Sequence, residues 1–229
     1  MDDIRNYITL SKTATSIRSS YTIPTDFRNS YNNIDDNEKK SFVRHFIVNN
    51  IPFAFRDKPI LYEQITQYIA DKLQISPTEV KLIGSAKTGF SISPLPDYGK
   101  TFGQHSDLDF SIVNEDLFYK LEDEFIIWSD LFETKQIKAN NNTEENYWFQ
   151  NLESGSRQLK YGFIDTHFIP NREQFITTKK IHNSLWLIQF YLDEKHGIKV
   201  KNASVSIYKN WQSFSGRLNR NTESVMKNV

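Results

Sequence analysis

The chain contains no cysteine, which excludes disulfide bonds, a catalytic thiolate and cysteine-ligated zinc. No apolar run approaches the ~18–20 residues that span a bilayer, and the opening segment MDDIRNYITLSK lacks the apolar stretch of a secretory signal. We therefore expect a cytoplasmic protein that makes no membrane contact. With only 8 glycines and 7 prolines in 229 residues, the composition also argues against a fibrous repeat or a disordered chain.

Net charge is absent too, because 28 Lys and Arg residues balance 28 Asp and Glu residues. No global positive field holds nucleic acid or an anionic membrane, so any such binding must come from a local patch. What the chain does contain is aromatic residues, at 14%, within a hydrophobic fraction of 38%. This composition predicts one compact unit with a core rich in Phe and Tyr.

The order of helical and strand patterns predicts an α/β (α+β) fold with a mixed sheet and flanking helices. An amphipathic helix is predicted from Pro59, and a turn capped by Ser76 and the strand VKLIG follow it. The stretch DLDFSIV, residues 107–113, alternates polar and apolar residues as a half-buried strand does. Asn114 then caps a further helix.

Later in the chain, a polar connection at 135–160 predicts an exposed loop and YGFIDTHFI at 161–169 predicts another strand. A helix ended by Gly197 follows. We divide the chain into three parts: an N-terminal, mostly helical or loop extension at 1–57, the core at 58–170, and a helical C-terminal part at 171–229.

The strand DLDFSIV carries two carboxylates, Asp107 and Asp109, on one face. At this spacing the carboxylates lie about 5–7 Å apart, which suits divalent cations, since Mg²⁺ prefers carboxylate oxygens together with substrate phosphates. Two cations ~3.5–4 Å apart clamp the attacking and leaving oxygens of a phosphoryl displacement. The pattern indicates phosphoryl transfer, although the same residues also suit a solvent-facing strand edge.

A Gly84–Ser85 pair ends the preceding strand. Glycine permits a tight turn, and backbone N–H groups with a serine hydroxyl cradle phosphate oxygens; the alternative is an ordinary strand-ending turn. Lys87 either steadies a triphosphate as a point charge or is a solvated helix residue. Ser106 either bonds a phosphate or caps the turn before the strand.

Together, the strand with Gly84–Ser85 and the strand with Ser106-Asp107-Leu108-Asp109 resemble the nucleotidyltransferase superfamily typified by DNA polymerase β, tRNA nucleotidyltransferases and small bacterial minimal nucleotidyltransferases. The family pattern is a hydrophobic-Gly-Ser turn, a connecting helix, a strand with two acidic residues, and a third acidic residue on a later strand. Asp165 in GFIDTHF matches the third. The stretch from GSAKTGFSISP to SDLDFSIV also looks like bacterial nucleotidyltransferase-like proteins of the toxin and phage-defence sort.

The resemblance covers about residues 80–169 and implies transfer of a nucleoside monophosphate from an NTP, such as ATP, to an acceptor hydroxyl. It implies that Mg²⁺ or Mn²⁺ is bound at the catalytic residues Asp107, Asp109 and Asp165. It also implies that Gly84 and Ser85 bind the nucleotide, and we add Lys87 and Ser106 to that set. The acceptor is an RNA such as a tRNA end, a protein hydroxyl or a second nucleotide, and a partner protein is expected.

One departure from the family is that residues 86–106 separate Ser85 from Asp107, a longer interval than usual. The segment SPLPDYGKTFGQH predicts an extra loop or hairpin that either lies over the site or distorts it. Asp165 could instead end strand pairing or accept hydrogen bonds from a loop. The alternative function is a catalytically inactive nucleotide- or RNA-binding module, acting as a subunit of a defence or toxin–antitoxin complex. Basic and aromatic residues after Lys199 suit RNA, although packing onto the core is favoured.

Overall fold

A four-stranded mixed sheet lies at the centre of the protein, for which a computed structural model describes residues 4–229. The first three residues of the predicted N-terminal extension lie outside the described residues. In the sheet, β1 (Val80–Ile83) pairs antiparallel with β2 (Asp107–Val113), and β2 pairs parallel with β4 (Asn202–Tyr208). The edge strand β3 (Phe163–Asp165) pairs antiparallel with β4. The predicted mixed sheet with flanking helices is confirmed.

Helices precede, connect and follow the strands. They are α1 (Arg5–Ile8), α2 (Lys12–Ser16), α3 (Pro24–Asn33), α4 (Lys39–Val43), α5 (Pro59–Leu73), α6 (Gly84–Thr88), α7 (Glu115–Glu133), α8 (Asn142–Lys160), α9 (Ile176–His196) and α10 (Trp211–Met226). A π-helical segment spans Arg44–Val48, and single 3₁₀ turns span Phe53–Phe55, Pro77–Glu79 and Thr166–Phe168. None of the helices in the described part of the chain is long and apolar enough to cross a bilayer.

The predicted end signals of several helices are confirmed. Helix α5 begins at Pro59, and Ser76 forms a capping box with Glu79 just before β1. The Asn114 side chain accepts a hydrogen bond from the Leu117 N–H at the start of α7. Gly197 adopts a left-handed conformation at the end of α9. Local chemistry therefore determines where these elements begin and end.

One face of the sheet is covered by the larger hydrophobic core. Leu108, Phe110 and Ile112 of β2 point into this core, together with Val205 and Ile207 of β4. The apolar stripes of α5, α7 and α9 pack against them, and burial of these side chains is the main source of fold stability. None of the predicted site residues lies in this core.

The opposite face is polar where β2 begins and apolar where it ends. A second core forms at the apolar end from Val113, Phe163 and Tyr208 of the sheet and Phe214 of α10. Aromatic residues of the N-terminal helices, such as Phe27, complete it. The candidate site residues lie at the polar end of this same face.

The predicted exposed loop at 135–160 is wrong, because Asn142–Lys160 forms helix α8. Asn141 caps this helix by accepting from the Glu144 N–H, and the acidic first turn favours the helix N-terminus. Trp148 anchors it, packing edge-to-face on Trp128 of α7. The high polarity of this segment reflects a helix with a narrow apolar stripe rather than a loop.

The strand predicted at 161–169 is shorter than expected. Only Phe163–Asp165 pair, and the chain then turns into the 3₁₀ segment Thr166–Phe168. The Thr166 hydroxyl donates to the carbonyl of Val205, and this hydrogen bond holds the 3₁₀ segment against β4. His167 therefore does not continue the face that carries Asp165.

The C-terminal part was predicted to be helical, but it also contains a strand. Residues 202–208 form the central strand β4. Asn202, Ser204 and Ser206 lie on the face of the sheet that carries Asp107 and Asp109, since paired residues share a face. The sequence signal was present as an alternation of small polar and apolar residues in NASVSIY. This strand supplies polar groups to the candidate site.

Candidate functional site

A cleft of about 380 Å³ opens on the polar face, where β1 ends and β2 begins. The sheet, the segment between β1 and β2, and α10 each contribute a wall. The lining comprises Gly84, Ser85 and Thr88 after β1, Ser91, Ser93, Asp97, Lys100 and His105 of the connection, Ser106, Asp107 and Asp109 of β2, and Leu218, Asn221 and Thr222 of α10. The structure thus brings five of the predicted site residues together: Gly84, Ser85, Ser106, Asp107 and Asp109.

Gly84 allows the end of β1 to approach Asp109 closely. Its φ is +67°, a conformation that L-residues with side chains rarely adopt. A Cβ added at Gly84 would lie 2.6 Å from Asp109 Oδ2. Glycine is therefore needed here both for the backbone conformation and for the space beside the carboxylate.

Asp109 is a partly buried carboxylate that accepts a hydrogen bond at one of its oxygens. Ser204 Oγ donates to Asp109 Oδ1 at 2.9 Å. Burial raises the pKa of Asp109, the Ser204 hydrogen bond opposes this shift, and the negative charges of Asp107 and Asp165 add to the increase in pKa. Asp107 Oδ1 is also buried and has no hydrogen-bond partner among the described residues. Two carboxylates in this state favour a positively charged ligand.

The long interval between Ser85 and Asp107 forms a hairpin-like loop that is one wall of the cleft. Phe90 and Thr101 form an antiparallel bridge, and the Ser91 N–H donates to the carbonyl of Lys100 at 2.8 Å. The loop brings the Lys100 side chain to the cleft. At its end, Ser106 Oγ accepts from the Gly103 N–H at 3.2 Å, so this hydroxyl caps the turn while also lining the cleft.

Lys87 does not reach the cleft, contrary to the predicted triphosphate contact. Its side chain is 1% exposed, and its Nζ donates to the backbone carbonyls of Asn49 and Asn50. Burial, and secondarily the charge of Lys81, lowers the pKa of Lys87 to about 8. Lys87 connects α6 to the N-terminal part of the chain. The lysine that lines the cleft is Lys100, whose Nζ lies 3.9 Å from Oδ1 of Asp97 in the same lining.

Asp165 lies on the same face as Asp109 but does not join the other two carboxylates. Its Oδ2 accepts from Gln158 Nε2 at 2.6 Å, and its Oδ1 accepts from the Ser206 hydroxyl. Arg217 Nη1 of α10 lies 3.7 Å from the same Oδ1. Asp165 is thus held by three side chains and is not among the residues that line the cleft.

The strand register explains this separation. Asp109 pairs with Ser204, whereas Asp165 pairs with Ser206, two residues further along β4. Two strand spacings across the sheet and two residues along it place the Asp109 and Asp165 Cα atoms about 12 Å apart. Across residues 4–229, no three His, Asp or Glu side chains are grouped closely enough to hold a metal ion. The geometry therefore offers a two-carboxylate site and not the predicted three-carboxylate one.

Aromatic residues of the basic C-terminal stretch are used mainly for packing. Tyr208 and Phe214 are buried in the second core, where their rings pack edge-to-face with centroids 5.0 Å apart. Arg217 lies over the Phe163 ring at 3.9 Å and donates to the Tyr208 hydroxyl at 2.9 Å. This part of the tail is a wall of the cleft rather than a separate nucleic-acid surface.

Comparison of the chain with protein-family models, with curated proteins and with solved structures finds no match. What the cleft can do chemically follows from its own residues. A glycine-serine turn, one lysine and two adjacent carboxylates with buried oxygens suit a polyphosphate held together with a divalent cation. The apolar and amide side chains of α10 suit the less charged part of the same ligand.

Proposed function

We propose that the protein is a divalent-cation-dependent nucleotidyltransferase that moves a nucleoside monophosphate from an NTP to an acceptor hydroxyl. The single observation that carries this proposal is the approach of Asp109 to Gly84 within a cleft that Asp107 and Ser85 also line. The phosphate-binding backbone at Gly84 and Ser85 and the cation-binding carboxylates of Asp107 and Asp109 then contact the same ligand. A purely structural role does not explain two partly buried carboxylates at one cleft, one of which has a buried oxygen without a partner.

The two carboxylates fit a divalent cation that arrives with its substrate. Mg²⁺ is commonly bound by one or two carboxylates plus substrate phosphates rather than by a cage of protein ligands. Asp107 has a buried oxygen without a partner, and burial raises the pKa of Asp109 despite the hydrogen bond from Ser204. Asp107 and Asp109 would hold Mg²⁺ or Mn²⁺, which would supply charge neutralisation at the phosphates. Asp165 is left out of this set.

The remaining cleft residues orient the substrate. The Ser85 hydroxyl and the backbone at Gly84 bind phosphate oxygens, and Lys100 contributes a positive charge from the loop. Leu218, Asn221 and Thr222 of α10 face the nucleoside part. Catalysis of this kind depends on positioning and electrostatics rather than on covalent chemistry by the protein.

The transfer itself is a displacement at the α-phosphorus. The acceptor oxygen forms a bond to this phosphorus, the bond from the phosphorus to the pyrophosphate oxygen breaks, and the hydroxyl proton is released to solvent. Pyrophosphate leaves with the electron pair of the broken bond. Asp165 acts as a positioning residue, because its contact with Arg217 fixes α10, whose next residues line the cleft.

The setting of this reaction is part of the proposal. The cysteine-free sequence is in keeping with a reducing compartment, and a cytoplasmic location is part of this proposal. The family resemblance supports a role in bacterial toxin or phage-defence systems, with a partner protein. The acceptor is an RNA such as a tRNA, a protein or a second nucleotide.

A catalytically inactive nucleotide-binding module is the second candidate function. The observation that favours it is that Asp165 is paired with Arg217 and does not join Asp107 and Asp109. Such a module would still need a cation, because two carboxylates repel a bare triphosphate. Binding with and without transfer separates the two candidates.

The test incubates the full chain with each α-labelled NTP and Mg²⁺ or Mn²⁺, alone and with total tRNA or cell extract. We expect label on RNA, protein or a new nucleotide with the wild type, and none with Asp107→Asn combined with Asp109→Asn. The matched control is Asp193→Asn, which removes an exposed carboxylate of α9 that lies 3.8 Å from Lys199 Nζ. This variant should transfer label normally. Cation-dependent NTP binding without transfer would support the inactive module, and transfer by the double variant would refute the proposed site.

A further inference from the structure

A second groove, of about 290 Å³, lies beside the candidate site at the edge of β4. It exists because β3 ends at Asp165, which leaves residues 202–205 of β4 without a paired strand on that side. His182, Trp186 and Gln189 line the groove from one face of α9, since they lie one turn apart along that helix. His167 of the 3₁₀ turn and residues 202–205 of β4 also line it.

Trp186 presents an aromatic surface at this groove. Its side chain is 62% exposed, and it stacks on Phe190 with ring centroids 5.6 Å apart and an interplanar angle of 16°. By contrast, Trp128 and Trp148 are buried in the main core. Phe190 covers one face of the indole ring, so the other face remains available to a planar ligand.

The groove is chemically neutral. Within residues 4–229, its lining contains no Asp, Glu, Lys or Arg side chain. Burial lowers the pKa of both His167 and His182, which keeps the imidazoles uncharged at neutral pH. A neutral imidazole offers one donor and one acceptor. These features suit an uncharged planar ring with polar edges, and they do not suit a polyphosphate or an acidic peptide.

Ser204 links the groove to the candidate site. This residue lines the groove, and its hydroxyl donates to Asp109 at 2.9 Å. A ligand in the groove is therefore separated from the carboxylates of β2 by strand β4. The cleft lies at the β1 side of Asp109, and the groove lies at its β4 side.

We propose that this groove binds the acceptor as a nucleoside unit, with its base on the Trp186 indole and its ribose hydroxyl directed toward Ser204. The proposal rests on the proposed function for its catalytic meaning. The nucleoside belongs either to a free nucleotide or to the 3′ end of a single-stranded RNA. A protein hydroxyl as acceptor would leave the stacked aromatic pair without a role.

The test measures binding to the full chain without NTP by isothermal titration calorimetry, so that binding is separated from transfer and the signal does not depend on Trp186. The probes are the four nucleoside 5′-monophosphates and five-residue oligoadenylate and oligouridylate with free 3′ hydroxyls. We expect saturable binding, and affinity weakened roughly 5- to 150-fold by Trp186→Leu, since a base stacked on an aromatic ring loses that much on its removal. Trp211→Leu, at a tryptophan that is 47% exposed on α10, is the matched control and should retain the affinity.

The outcomes identify both the ligand source and the failing step. Binding of mononucleotides supports a nucleotide acceptor, and binding of oligonucleotides alone supports an RNA end. Equal affinity in wild type and Trp186→Leu, or no binding of any probe, overturns the groove proposal even if NTP transfer is observed. Binding that Trp186→Leu weakens, in a protein that transfers no label, refutes the proposed enzyme and leaves the groove assignment intact.

Discussion

Replacement of Gly84 by alanine is expected to disable the site while leaving the fold in place. Gly84 has a φ of +67°, and its Cα lies beside the Asp109 carboxylate. An alanine Cβ would lie 2.6 Å from Asp109 Oδ2, and ordinary contact begins at 3.4 Å. The carboxylate must therefore retreat by about 0.8 Å or the turn must open.

The magnitude has two parts that separate variants can measure. Placing a side chain on a left-handed backbone costs about 1–2 kcal/mol, which lowers Tm by about 2–8 °C in a chain of this size. Gly197→Ala isolates this part, because Gly197 has a φ of +65° and no atom within 4 Å of its added Cβ. A misplacement of about 1 Å in catalytic geometry costs about 100-fold in rate. We expect Gly84→Ala to lose both stability and about 10–100-fold in transfer.

The assay combines urea unfolding with transfer from a labelled NTP under Mg²⁺ or Mn²⁺. Gly84→Ala and Gly197→Ala should lose similar stability, and only the former should lose activity. If Gly84→Ala transfers label within twofold of the wild type while matching the stability loss of Gly197→Ala, the close approach of Gly84 to Asp109 has no functional consequence. The central observation behind the proposed function would then be removed.

Three further substitutions test individual roles. Asp109→Asn should increase stability at pH 7. The pKa of Asp109 is higher in the folded state than in the unfolded state, so the wild type loses stability as pH rises above 3.8 and the carboxyl ionises. Urea unfolding should show that the stability gain of the variant disappears below that pH. Lys87→Met should lower the free energy of unfolding by about 1–3 kcal/mol, because it leaves two buried carbonyls without a donor, and it should leave KM for NTP unchanged. Lys100→Met should raise KM for NTP roughly tenfold and leave the free energy of unfolding unchanged. Asp165→Asn should raise KM through loss of its hold on α10, with kcat and the Mg²⁺ dependence retained in steady-state kinetics.

Each of these expectations has a result that contradicts it. A less stable Asp109→Asn at pH 7 would mean that the carboxylate is well compensated in the fold. A raised KM in Lys87→Met without loss of stability would mean that Lys87 contacts the triphosphate, as the sequence predicts. A large loss of kcat and of cation affinity in Asp165→Asn would restore the three-carboxylate site that the sequence pattern predicts.

The elements that sequence analysis predicted correctly are those with local determinants. Strand β2 at Asp107–Val113 has a strict alternation, and α7 begins at the cap that Asn114 provides. The Gly84–Ser85 turn and the two β2 carboxylates meet in one cleft because β1 and β2 are antiparallel neighbours. Short-range pattern and a single strand pairing were sufficient for this half of the site.

The errors concern strand neighbours and tertiary packing. The NASVSIY segment was read as part of a helical tail, because the helix-forming segments on either side of it dominated the pattern. Its insertion between β2 and β3 could not be derived locally, since parallel pairing joins segments about a hundred residues apart. The family pattern predicts Asp165 beside Asp107 and Asp109 as its third acidic residue, but the intervening strand β4 separates them. The position of Lys87 two residues after Ser85 predicts a contact with the ligand, but carbonyls from the N-terminal part of the chain bury its side chain, and these cannot be derived locally.

The walls of the cleft depend on parts of the chain that carry none of its chemistry. The Tyr98 hydroxyl donates to the Pro24 carbonyl at 2.8 Å, and the Phe27 ring packs edge-to-face on Phe90, so helix α3 holds both arms of the loop that presents Lys100. On the other wall, Asp165 and the second core hold α10 in place. A sheet face that must stay polar for a substrate cannot be covered by a continuous core. The protein places that core at the far end of the face, and the two chain ends fix the cleft from there.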